Sequence, residues 1–329
     1  MRAVWYERAG PADEVLISGE MPTPDPAPGE VLVRVHASGI NPSDVKLRAG
    51  GRPGTDGIGF PRIVPHSDGA GVIEAVGDGV DPARTGERVW LWNAQWQRAF
   101  GTCAEYIALP AAQAVPLPDG ASFETGASLG IPATTGCATV LGDGPVAGKT
   151  VLITGGAGTV SLYAIQIAVR EGARVLTTIS TEEKAQVARN AGADATIDYR
   201  AGNVAEAVLD LTGGDGIDMA VDLEFGSNVD AVVAAMKPSG LIVAYGSANV
   251  KEPVLPFYPL MFKRITLRTE LVYLLPDAER ARVNAFLTNA LKEGWLDCRI
   301  GACLKFSEVS EAHGLVERSG VIGGVVLRP

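Results

Sequence analysis

The stretch that decides the fold is Val151-Leu-Ile-Thr-Gly-Gly-Ala-Gly-Thr-Val-Ser-Leu-Tyr163. An apolar run, a group of glycines and an apolar helical pattern follow one another, which predicts a strand, a tight turn and the start of a helix. Glycine lets the backbone approach a pyrophosphate, and the N-terminus of a helix offers the anion free N–H groups and a positive dipole end. The stretch predicts a nucleotide-binding turn, with a plain structural turn as the alternative.

The segments after this turn alternate between short apolar runs and helical patterns. Apolar runs lie at 151–153, 174–179, 196–198, 217–221 and 241–245, and helices are predicted near 159–171, 181–191, 203–212 and 228–237. Strict alternation predicts a doubly wound parallel sheet with helices on both faces, the Rossmann arrangement. One more strand, Ile265 to Tyr273, and one more helix near 277–293 are predicted to follow.

The first part of the chain has a different pattern. Short runs such as Glu30–His36 and Gly71–Val76 alternate apolar and polar residues between turn signals, which predicts a β-rich domain. The apolar segment Gly323–Arg328 is expected to pair back into that domain. A chain of 329 residues is too long for one ordinary core. We predict a discontinuous β-rich domain of residues 1–122 and 266–329, interrupted by a Rossmann domain of residues 123–265.

Composition excludes several classes of partner. A formal net charge of −10 argues against nucleic acid, because phosphate binding needs a basic footprint. The uncharged window Val151–Val169 is long enough to span a membrane, but its glycines and hydroxyl residues favour a strand, a turn and a helix. The first eight residues contain no continuous apolar run of the signal-peptide kind. We therefore expect a soluble, cytoplasmic protein.

Neither the histidines nor the cysteines suggest a metal centre. A zinc site needs three or four converging ligands, and no short-spaced set occurs. The four cysteines have no close pairing and are expected to be free thiols, although four residues could form disulfides. A zinc enzyme is poorly supported. The residues concerned are His36, His66, His313, Cys103, Cys137, Cys298 and Cys303.

The end of the second predicted strand indicates the form of the nucleotide. An NAD site usually has Asp or Glu at this point to hold the ribose 2′-hydroxyl. Here Ser180 stands there, and Lys184 follows four residues later. A hydroxyl and an ammonium group would bind a 2′-phosphate, which a carboxylate would repel. NADPH is favoured, with a merely solvated Lys184 as the alternative.

Several motifs, in order along essentially the whole chain, resemble the zeta-crystallin and quinone oxidoreductase branch of the medium-chain dehydrogenases. The resemblance implies a GroES-like catalytic domain interrupted by the Rossmann domain, zinc-free chemistry and a homodimer. Its motifs are Gly39-Ile-Asn-Pro-Ser-Asp44, Pro65-His-Ser-Asp-Gly-Ala-Gly71, Gly101-Thr-Cys-Ala-Glu-Tyr106, Gly130-Ile-Pro-Ala-Thr-Thr-Gly136, Asp198-Tyr-Arg200, Gly246-Ser247 and Ala312-His313.

The same resemblance implies roles for individual residues. Asn41 and Thr135 would face the nicotinamide ribose, and Asn228 would lie near the adenosine. The remaining implied contacts are Gly158, Thr159 and Val160 with the pyrophosphate, Ser180, Lys184 and Tyr199 with the 2′-phosphate, and Tyr245, Gly246, Ser247, Leu271, Val272 and Tyr273 with the nicotinamide.

The same comparison supports the absence of zinc. Zinc-dependent relatives carry a ligand cysteine where Asn41 stands, together with a four-cysteine lobe that this chain lacks, and a zinc histidine near the position of His66.

The chain also departs from the pattern of the branch that it resembles. The phosphate turn of relatives usually ends Gly-Gly-Val-Gly, against Gly158-Thr-Val-Ser161 here. Lys46 stands where quinone reductases of this branch often have tyrosine, and Gly324 replaces a lysine.

The expected chemistry is hydride transfer from NADPH to a quinone or another α,β-unsaturated carbonyl acceptor. A simple alcohol is a poorer substrate without a metal, because its alkoxide requires a Lewis acid. Lys46, placed on a loop facing the cleft, is the candidate proton donor, with a solvated lysine as the alternative. The alternatives are an enoyl-thioester reductase or alcohol dehydrogenase of the same fold, and an NADPH-binding structural or regulatory protein with little turnover. A homodimer could form through the edge of the 265–273 strand.

Overall fold

The computed structural model describes residues 1–50 and 58–329. Residues 1–132 contain strands β1 (Arg2–Trp5), β2 (Ile17–Glu20), β3 (Glu30–Ile40), β4 (Asp68–Val76), β5 (Arg88–Leu91), β6 (Tyr106–Pro110) and β7 (Ala114–Pro116), with helices α1 (Ala12–Val15), α2 (Pro42–Arg48) and α3 (Phe123–Gly126). The next part contains α4 (Thr134–Leu141), β8 (Thr150–Ile153), α5 (Thr159–Arg170), β9 (Arg174–Ile179), α6 (Glu182–Asn190), β10 (Ala195–Asp198), α7 (Val204–Leu211), β11 (Ile217–Asp222), α8 (Phe225–Ala235), β12 (Met236–Ala244), α9 (Phe257–Phe262), β13 (Thr266–Thr269) and α10 (Asp277–Glu293). The chain ends with β14 (Ile300–Lys305), α11 (Val309–Glu317) and β15 (Gly324–Arg328).

The chain divides into two units. The first comprises Met1–Pro132 and Asn284–Pro329, and the second comprises Ala133–Val283. Both boundaries lie further along the chain than the predicted ones, 122/123 and 265/266. The second differs because β13 pairs in parallel with β12 and so belongs to the sheet of the second unit.

The first unit is built on a mainly antiparallel seven-stranded sheet in the order β14-β15-β3-β4-β5-β7, with β6 also paired to β3. In β3 the side chains of Val31, Val33 and Val35 are buried on one face, as the period of two requires. The C-terminal strand β15 pairs antiparallel with β3, Val326 lying opposite Gly39. The predicted return of the tail to the β-rich domain is confirmed.

The second unit contains a six-stranded sheet in the order β10-β9-β8-β11-β12-β13. Every pairing in it is parallel. From β8 the chain adds β9 and β10 on one side of the sheet and then β11, β12 and β13 on the other, so the strand order switches between β8 and β11. Val151, Leu152 and Ile153 of β8 are completely buried, as expected for a central strand covered on both faces. This is the doubly wound arrangement, and it brings the carboxyl ends of β8 and β11 side by side, where such sheets bind nucleotides.

The predicted strand from Ile265 to Tyr273 is shorter in the structure. Only Thr266–Thr269 pairs with β12, and Glu270 donates its backbone N–H to Ala244 O at the end of the ladder. Beyond it, Val272–Leu274 form a 3₁₀ turn in which Leu274 N bonds to Leu271 O. The apolar run continues past the strand because Val272 is buried in this turn.

A lysine closes the C-terminal end of α8. Lys263 Nζ donates to the backbone carbonyls of Val233 and Ala234 at 2.8 Å and of Met236 at 2.9 Å. Carbonyls in the last turn of a helix have no intrahelical partner and carry the negative end of the helix dipole. The ammonium group therefore stabilises α8 by hydrogen bonds and by charge.

Candidate cofactor and substrate site

The glycine turn between β8 and α5 has a geometry that requires glycine. Gly155 has a φ of +65°, and a Cβ there would lie 2.1 Å from Leu223 Cδ2. A Cβ on Gly156 would lie 2.2 Å from Thr177 Oγ1. The backbone is thus packed directly against β9 and the residue that follows β11, with no room for a side chain.

The helix that follows begins with free backbone donors. Gly158 is the N-cap of α5, has extended backbone and offers no side-chain cap. Thr159 and Val160 occupy the first helical positions, where N–H groups have no intrahelical acceptor. Such donors, with the positive end of the helix dipole, fit a pyrophosphate group.

Ser161 stands where relatives usually have glycine, and hydrogen bonds to neighbouring residues accommodate its side chain. Its hydroxyl is buried and donates to the carbonyl of Thr154 at 2.9 Å. Because the Ser161 proton is used there, the 3.4 Å contact with Tyr245 Oη makes the tyrosine the donor. Burial raises the pKa of Tyr245, so its phenol stays protonated. The extra side chain therefore links the glycine turn to Tyr245.

Asp222, at the end of β11, organises the neighbouring strand ends. Its Oδ1 accepts hydrogen bonds from Thr154 Oγ1, Asn228 Nδ2 and the backbone N–H of Glu224, at 2.9, 2.9 and 2.8 Å. Burial raises the pKa of Asp222, although these hydrogen bonds oppose the effect. The amide nitrogen of Asn228, the predicted adenosine contact, is therefore engaged by Asp222.

The predicted 2′-phosphate residues lie at the ends of β9 and β10. Lys184 Nζ is 3.3 Å from Ser180 Oγ, and Tyr199 donates its backbone N–H to Ile179 O at 3.2 Å, beside Ser180. The side chain of Tyr199 is half exposed. This end of the sheet presents a hydroxyl, an ammonium group and a phenol without a carboxylate at position 180.

Sequence reasoning assigned no role to Arg200. Its guanidinium carbon lies 5.8 Å from the centroid of the Tyr199 ring, in a cation–π arrangement. It adds a second positive charge beside the predicted phosphate contacts. Its place directly after Tyr199 in the Asp198-Tyr-Arg200 motif was the signal that could have identified it.

The six predicted nicotinamide contacts follow β12 and β13. Gly246 O accepts the Phe225 N–H at 2.9 Å, and Ser247 Oγ accepts the Gly226 N–H at 2.9 Å, which fixes the segment after β12 on the start of α8. Tyr273 lies in the 3₁₀ turn of Val272–Leu274. Leu271 is exposed and Val272 is buried, so the two side chains differ in accessibility.

Thr135 lies in the second unit and Asn41 and Lys46 in the first. Thr135 is buried on α4, where its carbonyl accepts the Thr139 hydroxyl at 2.8 Å. Asn41 is the N-cap of α2, and its backbone N–H donates to Asp44 Oδ2 at 2.7 Å. Lys46 was expected on a loop, which is wrong. It is exposed in the last turn of α2, a helix whose N-cap residue is Asn41 and whose first turn accommodates Pro42.

His66 has both ring nitrogens engaged. Its Nδ1 is 2.8 Å from Ser38 Oγ, and its Nε2 is 2.9 Å from His313 Nε2. Within residues 1–50 and 58–329, no three His, Cys, Asp or Glu side chains are grouped as metal ligands. No helix in the described part of the chain is long and apolar enough to cross a bilayer.

Two family models match the chain. The alcohol dehydrogenase GroES-like domain matches residues 27–119, and the zinc-binding dehydrogenase model matches residues 159–289. A quinone oxidoreductase of Pseudomonas aeruginosa is 34% identical over 72% of this chain and 70% of its own length. The human quinone oxidoreductase is 29% identical over 99% of this chain and 97% of its own length.

Solved structures match this chain over its full length. The mycobacterial protein Rv1454c in complex with NADPH superposes with a TM-score of 0.88 at 30% identity, covering 100% of both chains. An NAD-dependent alcohol dehydrogenase superposes with a TM-score of 0.90 at 31% identity, again covering 100% of both chains. One of these proteins binds NADPH and the other is NAD-dependent, so the choice of cofactor depends on the residues at the end of β9.

Proposed function

The chain belongs to the medium-chain dehydrogenase/reductase superfamily, in its quinone oxidoreductase branch, and on this premise we propose that it reduces quinones or other α,β-unsaturated carbonyl compounds without zinc. It is an NADPH-dependent oxidoreductase. The acceptor and the roles of the single residues below are proposals.

The observation that carries the proposal is the Ser180–Lys184 pair at the end of β9. A 2′-phosphate would find hydrogen-bond donors and a positive charge there, and the glycine turn with the start of α5 would hold the pyrophosphate. We propose Tyr199 as a further 2′-phosphate contact, Gly158, Thr159 and Val160 as pyrophosphate contacts, and Asn228 as an adenosine contact. Tyr245, Gly246, Ser247, Leu271, Val272 and Tyr273 are the proposed nicotinamide contacts, and Asn41 and Thr135 the proposed contacts of its ribose.

When bound, the reduced nicotinamide supplies the hydride. The protein residues orient the reactants and exclude water from them. A conjugated acceptor suits this site because the negative charge left on its oxygen is delocalised and can be quenched by a proton. The exposed ammonium group of Lys46 is our candidate for that proton. If a Lys46→Met variant keeps its full kcat with a quinone, Lys46 is not the proton donor.

A simple alcohol or ketone substrate is the second candidate, favoured by the similarity to the NAD-dependent alcohol dehydrogenase. His66 argues against this candidate, because both of its ring nitrogens form hydrogen bonds within the protein and cannot bind a Lewis-acid metal without breaking them.

The acceptor is identified by following NADPH absorbance with four substrate classes: a para-quinone, an enone, an enoyl thioester and a saturated ketone. We expect oxidation with the first two, whereas turnover of the ketone or thioester alone would contradict the proposal. Tight NADPH binding without any turnover would indicate a binding protein.

We also propose that the protein is a cytoplasmic homodimer. β13 is the last strand of its sheet, and beside it lies an exposed apolar surface around α9. Edge strands with apolar neighbours favour association. All four cysteines are free, as in a reducing compartment. The α9 surface consists of Val254, Leu255, Phe257, Tyr258, Met261 and Phe262.

The dimer is tested by light scattering of a Phe262→Asp variant. Phe262 is 78% exposed, so a charge there is tolerated by the monomer and would separate the subunits. Leu211→Asp, at an exposed apolar position outside the α9 surface, is the control and should stay dimeric. A wild-type protein that is monomeric at all concentrations would contradict the proposal.

A further inference from the structure

The side chain of Asn41 is held by a buried carboxylate. Asn41 Nδ2 donates to Asp68 Oδ2 at 2.8 Å, and the two residues are 6% and 0% exposed. The amide nitrogen is the donor in this bond, so the nitrogen end of the amide faces Asp68. The Oδ1 end of Asn41 is therefore turned away from Asp68.

Asp68 is itself fixed from several sides. The same Oδ2 accepts the backbone N–H of Ile131 at 2.9 Å. Gly130 allows this approach, because a Cβ on it would lie 2.3 Å from Asp68 Oδ1 and 2.7 Å from Leu91 O. The carboxylate is thus held by a backbone N–H and packed closely against Gly130, at the start of β4.

A directed chain of hydrogen bonds holds the backbone of Asp68. Thr102 Oγ1 donates to Asp68 O at 2.6 Å, so the 2.8 Å contact with Ser38 Oγ requires Ser38 to donate to Thr102. The Ser38 oxygen then accepts from His66 Nδ1–H. The remaining His66 nitrogen, Nε2, accepts from His313 Nε2–H. The donor of each hydrogen bond in this series is therefore determined. The four side chains, Thr102, Ser38, His66 and His313, are neutral and fully buried.

We propose that Asp68 is a positioning residue for hydride transfer, which sets the orientation of the Asn41 amide and thereby the group that Asn41 presents to the nicotinamide ribose. The inference rests on the proposed function through the contact of Asn41 with the cofactor. Asp68 acts through Asn41 and does not itself touch the reactants.

The geometric part is tested on the protein without cofactor, by the side-chain amide resonances of Asn41 in ¹⁵N-labelled protein. The resonances are assigned by their loss in Asn41→Ala. In the wild type, one Nδ2 proton should lie downfield and exchange slowly, since it bonds to a carboxylate. Asp68→Ala should remove this shift. Asp68→Asn, which keeps an acceptor oxygen but loses the charge, should reduce it and also serves if the alanine variant does not fold. Unchanged Asn41 resonances in Asp68→Asn would overturn the inference.

The functional part is tested by a double-mutant cycle. Asp68→Ala should lower kcat about tenfold, as expected for one lost charge-assisted hydrogen bond, and change the Kd for NADPH, measured by fluorescence, much less. Asp68→Asn should restore most of kcat. In an Asn41→Ala background, Asp68→Ala should cost little further activity, because the residue that it positions is absent. Equal losses in both backgrounds would show a general structural effect and overturn the inference.

A Ser38→Ala variant distinguishes an effect on the orientation of Asn41 from an effect on the stability of the protein. It breaks the chain behind the backbone of Asp68 but leaves both side chains of the Asp68–Asn41 pair. We expect a lower Tm with unchanged Asn41 resonances. If the wild type reduces no acceptor, the proposed function fails, while the resonances still decide the Asp68–Asn41 contact.

Discussion

His66 Nε2 lies 2.9 Å from His313 Nε2, and neither side chain is exposed. Burial lowers the pKa of His313 to about 3, with the positive charge of Arg48 as a further cause. Burial also holds the pKa of His66 well below its usual range, and His313 adds to this effect. Because both rings stay neutral in the folded protein, the pair is an acid-sensitive element of the first unit.

The first prediction concerns pH. Below about pH 6.5 the unfolded chain binds protons on these histidines and the folded chain does not, so the folded state loses about 1.4 kcal/mol per pH unit for each histidine. This contribution is complete above pH 6.5 and is lost as the pH falls towards the folded pKa. Chemical denaturation at pH 7.5, 6, 5 and 4.5 measures it. His313→Gln keeps a donor for His66 but does not titrate, and should show a shallower acid slope. An identical slope would contradict the assignment.

The second prediction concerns cofactor selectivity. Lys184→Ala should raise the KM for NADPH by about tenfold or more, because it removes the charge-assisted contact that we propose with the 2′-phosphate, and should leave the KM for NADH unchanged. Lys237→Ala is the charge-matched control, since that ammonium pairs with Asp218. Equal losses with both cofactors would place Lys184 outside the 2′-phosphate site.

The third prediction separates two glycines of the turn. Gly156→Ala should cost about 1–3 kcal/mol of stability, because its methyl group would meet Thr177 Oγ1 at 2.2 Å. Gly158→Ala meets nothing closer than Gly155 O at 3.2 Å and should keep its Tm while weakening NADPH binding. Thermal unfolding and fluorescence titration of both variants make the comparison. Normal NADPH binding by Gly158→Ala would argue against a pyrophosphate at the start of α5.

The fourth prediction concerns the cap on α8. Lys263→Met should lower stability by about 1–2 kcal/mol, because three carbonyls each lose a hydrogen bond and the negative helix end loses a positive charge. Lys251→Met, at an exposed position, is the control and should change stability little. Equal unfolding midpoints for the two variants would show that the cap contributes nothing.

Local patterns in the sequence predicted several elements after residue 150 closely. The alternation of apolar runs and helical patterns placed α5 and α10 within a residue of their observed ends, because both the period and the flanking glycines or prolines act over short distances. The Ile265–Tyr273 segment was overextended because a buried 3₁₀ turn has the same apolar composition as a strand end. Lys46 was placed on a loop because a seven-residue helix gives a weak periodic signal.

The contacts that define the first unit's polar interior could not be predicted in this way. Asn41 and Asp68 are 27 residues apart in the chain, and His66 and His313 are 247 apart. Such pairs form only when β4 and α11 pack against the rest of their unit. Asp68 and Thr102 were visible in the sequence only as members of family motifs, without any local pattern that shows their hydrogen bonds.

The most direct test of the central claim is the ratio of kcat/KM for NADPH to that for NADH, measured at the reduced-nicotinamide absorbance band with a simple quinone, before and after dialysis against a chelator. A zinc-independent enzyme with its 2′-phosphate held by Ser180 and Lys184 should prefer NADPH at least about tenfold, a difference of about 1.4 kcal/mol, and should lose no activity on dialysis. Preference for NADH, or activity that disappears with the chelator and returns with zinc, would contradict the account.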